Sequence, residues 1–351
     1  MQLLSQSIIS WYKINKRELP WRDINDPYKI WISEIILQQT RVNQGMDYYL
    51  RFVERFPNVA ELANAEQDEV LKYWQGLGYY SRARNLHKAA QQIINEFNGI
   101  FPRNHSDVLK LSGVGVYTAA AVCSFAYNQS YAVVDGNVYR VLSRLFGIDT
   151  QIDSGAGVKQ FAKLAQDFLY LKDPGLHNQA LMEFGALQCV PASPDCGRCP
   201  LRSNCKAYAM ELINVLPVKM QKVKVKERFF NYLFVQFGDK TFLNKRESSD
   251  IWKNLYEFPL IESTKLLPIE ELLINQEFIE MFSAIENLEI IHLGVPVKHV
   301  LTHRIIYAQF FTIRIYDKNK QLDKYMEIPI AEIDKYAVSR LIAQFLESQA
   351  V

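Results

Sequence analysis

Leu111-Ser112-Gly113-Val114-Gly115-Val116-Tyr117-Thr118-Ala119 is the stretch whose reading decides the fold. Two glycines one residue apart let the backbone turn tightly and come close to a ligand. A helical run, TAAAVCSFAY, follows at once. The free N–H groups of its first turn therefore point out of the bend and can hold a phosphate. The form is that of two helices joined by a hairpin, an anchor for a DNA backbone that reads no bases. Glycine-bearing turns between helices also occur without any ligand, and the segment alone leaves both readings open.

Outward from it, residues 1 to about 215 read as helical. Apolar residues recur at three and four positions, as in Ile30, Trp31, Ile35 and in Val70, Leu71, Trp74. Gly76, Gly78, Gly99, Pro102 and Gly147 punctuate the pattern. Residues 216–228 include PVKMQKVKVKER, with five basic residues and one acid, and read as a basic linker. After 228 the period changes. FFNYLFVQF, Gly238-Asp239 and KTFLNKR read as two strands around a tight turn, and RIIYAQFFTIRIY at 304–316 as a long strand. LPIEELLINQEFIEMF and EIDKYAVSRLIAQFLES each read as a helix. The expected chain is thus multidomain, an all-α domain over 1–215 followed by an α+β domain over 229–351.

Composition bounds the function. A length of 351 residues suits two domains at roughly 150 residues each. With 49% hydrophobic and 22% charged residues the chain is neither disordered nor collagen-like. No apolar run reaches the ~18 residues of a membrane span, and the N-terminus places its apolar residues before its basic ones, unlike a signal peptide. The expected location is the cytoplasm. A net charge of +2 does not announce nucleic acid, so a DNA reading must rest on motifs.

Of five cysteines, Cys189, Cys196, Cys199 and Cys205 fall within one short stretch, spaced C-x6-C-x2-C-x5-C. Four soft thiolates suit zinc or an iron–sulfur cluster. A single C-x2-C flanked by lone cysteines fits wrapping a cubane better than the two pairs of a zinc ribbon. Cys123 lies in an apolar helix and reads as core.

Two carboxylates stand out. Glu34, in Ile30-Trp31-Ile32-Ser33-Glu34-Ile35-Ile36-Leu37-Gln38-Gln39-Thr40, shares a helical face with Ile30, Trp31 and Leu37. Burial there would raise its pKa and keep a proton for general acid work; a wet head on a packed stem is the alternative. Asp135, in Val133-Val134-Asp135-Gly136-Asn137, precedes a helix, and N-capping alone would explain it. Leu77-Gly78-Tyr79-Tyr80-Ser81-Arg82 could present a tip that wedges between bases, or could pack as ordinary core.

In this order, Leu19-Pro20-Trp21-Arg22, Ser33-Glu34, Leu37-Gln38-Gln39-Thr40, Gly76 through Arg82, the glycine hairpin, Val134 through Val138 and the four cysteines resemble the helix–hairpin–helix DNA glycosylases that carry an iron–sulfur cluster. The likeness spans essentially the whole chain and is greater to the adenine-specific branch than to the endonuclease III branch. It implies a base excision repair enzyme with a [4Fe-4S] cluster, acting as a monomer on nucleoid DNA that holds adenine opposite 8-oxoguanine or guanine. Glu34 would protonate the flipped adenine at N7, and Asp135 would stabilise the sugar cation. Tyr117 and Asn137 would support them. Trp21, Arg22, Leu37 and Gln179 would line the base; Gln39, Thr40, Leu77 and Tyr79 would surround the lesion. Gly113, Gly115, Arg198 and Arg202 would hold phosphates. Bifunctional relatives carry a lysine where this chain has Tyr117, so a monofunctional enzyme is expected; a bifunctional lyase and a non-catalytic scaffold are the alternatives. The C-terminal part resembles a Nudix-like domain without the acidic helix of pyrophosphate hydrolases. Its Leu301-Thr302-His303 stands where relatives have Phe-Ser-His, so Thr302 and His303 keep the polar contacts to the lesion while the aromatic ring is lost.

Overall fold

The computed structural model describes residues 1–220, 225–247 and 250–349. The chain divides into two compact units, Met1–Asn64 with Asn85–Gln221, and Ala65–Arg84 with Lys222–Val351. Periodicity alone assigns residues 65–84 to the helical domain, but a helix pattern does not say which neighbour the helix packs on. The structure seats this segment with the C-terminal part. The Asp68 carboxylate accepts from Lys245 Nζ at 2.7 and 2.9 Å and from Tyr256 Oη at 2.6 Å. Arg84 Nη1 donates to the Lys253 carbonyl at 2.8 Å, and the Val338 N–H to Gln75 Oε1 at 3.2 Å.

The first unit is helical throughout its described residues. The Pro27–Leu37 helix starts where a sequence reader would place it. Asp26 caps the amides of Tyr28 and Lys29 at 2.9 and 3.3 Å, and proline fills the first helical position, where no donor is missed. Ile30, Trp31, Ile32, Ile35 and Ile36 are all buried, so the helix is sunk in the core on nearly every side. Asp135 caps the Gly136–Phe146 helix and Asp173 the Pro174–Leu187 helix, each through a side-chain oxygen. Val138, Val141, Leu142, Leu145, Phe161, Phe168, Leu181 and Phe184 form the core between them.

The second unit is built on an eight-stranded sheet. Its strands are β1 (Lys226–Phe237), β2 (Lys240–Lys245), β3 (Tyr256–Glu257), β4 (Leu260–Ser263), β5 (Leu288–Leu293), β6 (Val297–Val300), β7 (Arg304–Ile315) and β8 (Met326–Pro329). The path runs β3-β2-β1-β7-β5, with β4 on β1, β6 on β7 and β8 on β2. The central pair, β1 and β7, is parallel from Lys226↔Arg304 to Phe237↔Ile315. Both strands carry apolar runs in their middle portions, Tyr232–Val235 and Phe310–Phe311, because both faces of the sheet are covered. Phe230, Tyr232, Phe234 and Phe310 enter one core with Phe345; Leu233, Val235, Phe311 and Ile313 enter the other.

Three sequence expectations need correction here. The basic linker is shorter than 216–228, since β1 already starts at Lys226; residues 221–224 lie outside the described residues. LPIEELLINQEFIEMF makes two helices, Ile269–Leu273 and Gln276–Phe282, because Asn275 leaves helical geometry and its side chain caps the amides of Glu277 and Phe278. EIDKYAVSRLIAQFLES is likewise broken. A 3-10 turn at Ile330–Lys335 ends before Val338 bridges Tyr256, and the helix proper is Arg340–Gln349. Among the described residues no helix is long and apolar enough to cross a membrane.

Candidate active site

In the first unit the Pro27–Leu37, Val116–Tyr127, Gly136–Phe146 and Pro174–Leu187 helices present side chains to one cavity of about 1160 Å³. Small-molecule pockets run roughly 300–1,000 Å³, so a base with its sugar has room. Trp21, Arg22, Glu34, Leu37, Gln39, Thr40, Gly113, Gly115, Tyr117, Asp135, Asn137 and Gln179 all line it. Residues as far apart in the chain as Arg17 and Pro191 thus meet in one hollow.

Glu34 is 7% exposed. Burial raises its pKa, the Tyr117 Oη donor at 2.6 Å opposes this, the Asp135 charge adds to it and the Arg22 charge opposes it; the outcome is about 7. Asp135 is raised by burial too, yet its carboxylate accepts from the Val138 N–H at 2.7 Å and Asn137 Nδ2 at 2.8 Å, and both hold the anion. It also sits at a helix N-terminus, which favours negative charge. The Tyr117 hydroxyl is pushed well above its usual range by burial and by the charges of Glu34 and Asp135, so it remains a donor.

Sequence reasoning missed several residues around this pair. Glu183, 1% exposed, accepts from the Arg17 backbone N–H, Arg17 Nε and Nη2, and Arg22 Nη2 at 3.0, 2.8, 2.7 and 2.6 Å. Burial would raise it, but those donors and the Arg22 charge bring it down to about 2. Arg140 binds Asn137 Oδ1 at 2.8 Å and the carbonyls of Gly185 and Cys189 at 2.7 Å. Tyr12 Oη donates to Gln179 Oε1 at 3.1 Å. An arginine at helical spacing reads as a solvated face, and a partner more than a hundred residues away leaves no local signal.

At the hairpin, Gly113 adopts φ +74°, and a Cβ there would stand 2.6 Å from Cβ of Asn85. Gly115 caps the following helix without a side-chain bond, with Val116 74% exposed beside it. Among the described residues no side chain caps the first-turn amides, which leaves them available to an anion. Arg198 and Arg202 are exposed; Arg202 lies over the Tyr208 ring at 4.8 Å.

The four clustered cysteines carry no disulfide, and each lies within electrostatic reach of the others. Arg144 reaches Cys189 Sγ at 3.5 Å and the carbonyls of Val190 and Pro191. Among the described residues no three of His, Cys, Asp or Glu gather closely enough to chelate a single metal ion.

In the second unit Leu77 is buried, 7% exposed, so the tip expected at Leu77-Gly78-Tyr79 is Tyr79 alone, at φ +48°. The Leu77 N–H donates to the Trp74 carbonyl at 3.1 Å, in a turn that leaves its side chain buried. Thr302 and His303 are exposed in the turn from β6 to β7, and Thr302 is hydrogen-bonded to the Tyr79 hydroxyl. Leu301 packs on the sheet core.

Comparison with known proteins agrees with this geometry. Residues 32–166 match the HhH-GPD superfamily base excision DNA repair protein model, and 231–348 match a NUDIX domain. An adenine DNA glycosylase of Buchnera aphidicola subsp. Baizongia pistaciae (strain Bp) is 40% identical over 256 residues, 72% of each chain. One of Buchnera aphidicola subsp. Acyrthosiphon pisum (strain APS) is 32% identical over 316 residues, 89% of this chain and 87% of that one. The Homo sapiens adenine DNA glycosylase is 42% identical over 210 residues, 57% of this chain and 38% of its own. Among solved structures, a thermostable thymine-DNA glycosylase superposes with TM-score 0.55 at 30% identity, covering 59% of this chain and 96% of that one. An endonuclease III–DNA complex superposes with TM-score 0.52 at 23% identity, over 60% and 97%, which speaks for the fold alone. With a helix–hairpin–helix unit, a Nudix-like unit and relatives matched along most of their length, the chain belongs to the adenine DNA glycosylase family.

Proposed function

We propose that this enzyme removes adenine standing opposite 8-oxoguanine or guanine in duplex DNA, as a monomer and without strand cleavage. The observation that carries the reading is two buried carboxylates lining one cavity with different partners, Glu34 raised to about 7 and Asp135 held by two N–H donors. Asp135 accepts two N–H donors, which favour its anion, while Glu34 accepts the Tyr117 hydroxyl and is raised to about 7 by burial, so Glu34 is the acid of the pair. Glu34 gives its proton to N7 of the extruded adenine. The C1′–N9 bond then breaks with its electron pair leaving on the base. Asp135 stabilises the cation at C1′, whether by charge or by a transient bond, and water adds there and returns a proton to Glu34. Tyr117 holds Glu34, and Asn137 holds Asp135. Trp21, Arg22, Leu37 and Gln179 enclose the base; Gln39 and Thr40 lie at the rim.

The Tyr117 hydroxyl is committed to Glu34 and the position carries no amine, so a Schiff base with the sugar is not formed there. Cys189, Cys196, Cys199 and Cys205, four soft thiols that neighbour one another in one short loop, would hold a [4Fe-4S] cluster. Bound there it would supply a structural brace for the 189–205 loop, whose exposed Arg198 and Arg202 would face phosphates. The exposed Tyr79, Thr302 and His303 read the 8-oxoguanine.

Single-turnover assays decide substrate and reaction class together. Adenine opposite 8-oxoguanine should give an alkali-labile product, and a thymine glycol duplex little. Efficient thymine glycol release, or strand breaks without alkali, would instead indicate a lyase. Thr302→Ala with His303→Ala should lower the preference for 8-oxoguanine over guanine more than it slows excision; an unchanged preference removes that turn from recognition.

A further inference from the structure

We infer that Asp250 and Arg304 are positioning residues for lesion recognition: their ion pair ties the turn that carries Thr302 and His303 to the core of the second unit. This rests on the reading of that turn proposed above. The tip between β6 and β7 has two shoulders, Leu301 and Arg304, joined by the Leu301 N–H to the Arg304 carbonyl at 2.8 Å. Leu301 packs on the sheet core. Arg304 has a side chain 36% exposed, and its Nη1 donates to Asp250 Oδ1 at 2.7 Å. Thr302 and His303 are exposed, and so are three of the four residues of β6. A segment with so few buried contacts shifts readily unless something fixes it. Yet the Thr302 hydroxyl must stay where it meets the Tyr79 hydroxyl.

Asp250 is itself placed from inside the unit. Arg246, with a side chain 8% exposed, gives Nη1 to both Glu257 oxygens at 2.8 and 2.6 Å. Its Nε donates to the Ile251 carbonyl at 3.1 Å and its Nη2 to Asp250 Oδ2 at 3.1 Å. Arg228, on β1 beside β7, gives Nη1 to the same Oδ2 at 2.5 Å and holds Glu262 through Nε and Nη2. Oδ2 thus meets two guanidiniums that have carboxylates of their own, and Oδ1 meets Arg304. Burial raises the Asp250 pKa, but the Ile251 N–H and the Arg228 and Arg304 guanidiniums outweigh it, and the carboxyl stays ionised. A lone exposed ion pair orders little. One whose carboxylate is already fixed by two other cations loses less freedom on closing, and so keeps Arg304 in one place.

The test compares excision of adenine opposite 8-oxoguanine and opposite guanine, with enzyme in excess of duplex but below saturation. Wild type, Arg304→Met, Asp250→Asn and the double variant are measured. Each single variant should lower the 8-oxoguanine-to-guanine rate ratio about 3- to 10-fold and leave the rate opposite guanine little changed. The double variant should be no worse than Arg304→Met. Arg304→Lys, which keeps the charge without the fork, should recover part of the ratio. In a variant already carrying Thr302→Ala and His303→Ala, Arg304→Met should add nothing. An unchanged ratio in Arg304→Met, multiplying effects, or equal slowing opposite both bases would each overturn the role. So would a salt dependence of duplex binding that flattens by about one phosphate in Arg304→Met, which makes Arg304 a backbone contact instead. Should Asp250→Asn fold poorly, Arg304→Met leaves Asp250 on its other two arginines and carries the test by itself. A wild type that leaves adenine in place overturns the function proposed above. An unchanged preference in Thr302→Ala with His303→Ala removes the turn from recognition, and either result takes this role with it.

Discussion

Glu34 and Glu183 are both buried carboxylates on the wall of one cavity, and they behave oppositely. The first is pushed up to about 7, the second down to about 2. Exposure does not separate them, at 7% and 1%. Their neighbours do. Glu34 sits among Ile30, Trp31 and Ile35 with a single hydroxyl donor, so desolvation wins; Glu183 collects N–H groups from two guanidiniums, which outweigh desolvation. In the proposed reaction the first region would store a proton, while the second holds a charge that orders two arginines. Partners, rather than depth, decide which work a buried acid can do.

Among the partners of Glu34, the largest effect is expected from Asp135, the charge that helps keep the proton on Glu34. Asp135→Asn should lower the excision rate by about 10²- to 10⁴-fold, since it removes the anion opposite the sugar cation. Duplex binding by gel shift should persist; a near-normal rate would break the division between proton and charge.

Stability comes next. A carboxyl raised from 4.5 to about 7 by folding binds its proton more tightly in the folded state than in the unfolded one. Its contribution is therefore full below 4.5 and lost as pH rises to about 7. Glu34→Gln should remove that loss, leaving the variant more stable than wild type by about 1–3 kcal/mol at pH 8 and by little at pH 5, measured by urea unfolding. Glu183 has the opposite sign, its contribution being present above 4.5 and lost as pH falls toward 2. An equal effect of Glu34→Gln at both pH values would contradict the buried, protonated acid.

The smallest effect concerns Tyr117. Its hydroxyl lowers the Glu34 pKa, so Tyr117→Phe should move the falling limb of the pH–rate profile to higher pH, by less than about one unit. A shift to lower pH would assign the tyrosine a different partner.

Much of this was legible in the chain. The apolar wall of Glu34 is local, written at three- and four-residue spacing around Ile30 and Trp31, and the glycine hairpin and the β-branched and aromatic content of β1 and β7 are local as well. Glu183 was not, because its donors Arg17 and Arg22 lie on the far side of the chain and only folding brings them together. The break at Asn275 was missed because a side-chain cap overrides an unbroken apolar pattern. The placement of residues 65–84 was missed because what decides it, Asp68 against Lys245 and Tyr256, is again a meeting of distant residues.

The central claim is that Glu34 works as an acid whose proton is held near neutral pH. Single-turnover excision of adenine opposite 8-oxoguanine, followed from pH 5 to 9, reads it directly. The account predicts a rate that is level at low pH, falls about tenfold per unit above pH about 7, and vanishes in Glu34→Gln while duplex binding remains. A profile without that limb, or a Glu34→Gln variant that excises adenine as fast as wild type, would contradict it.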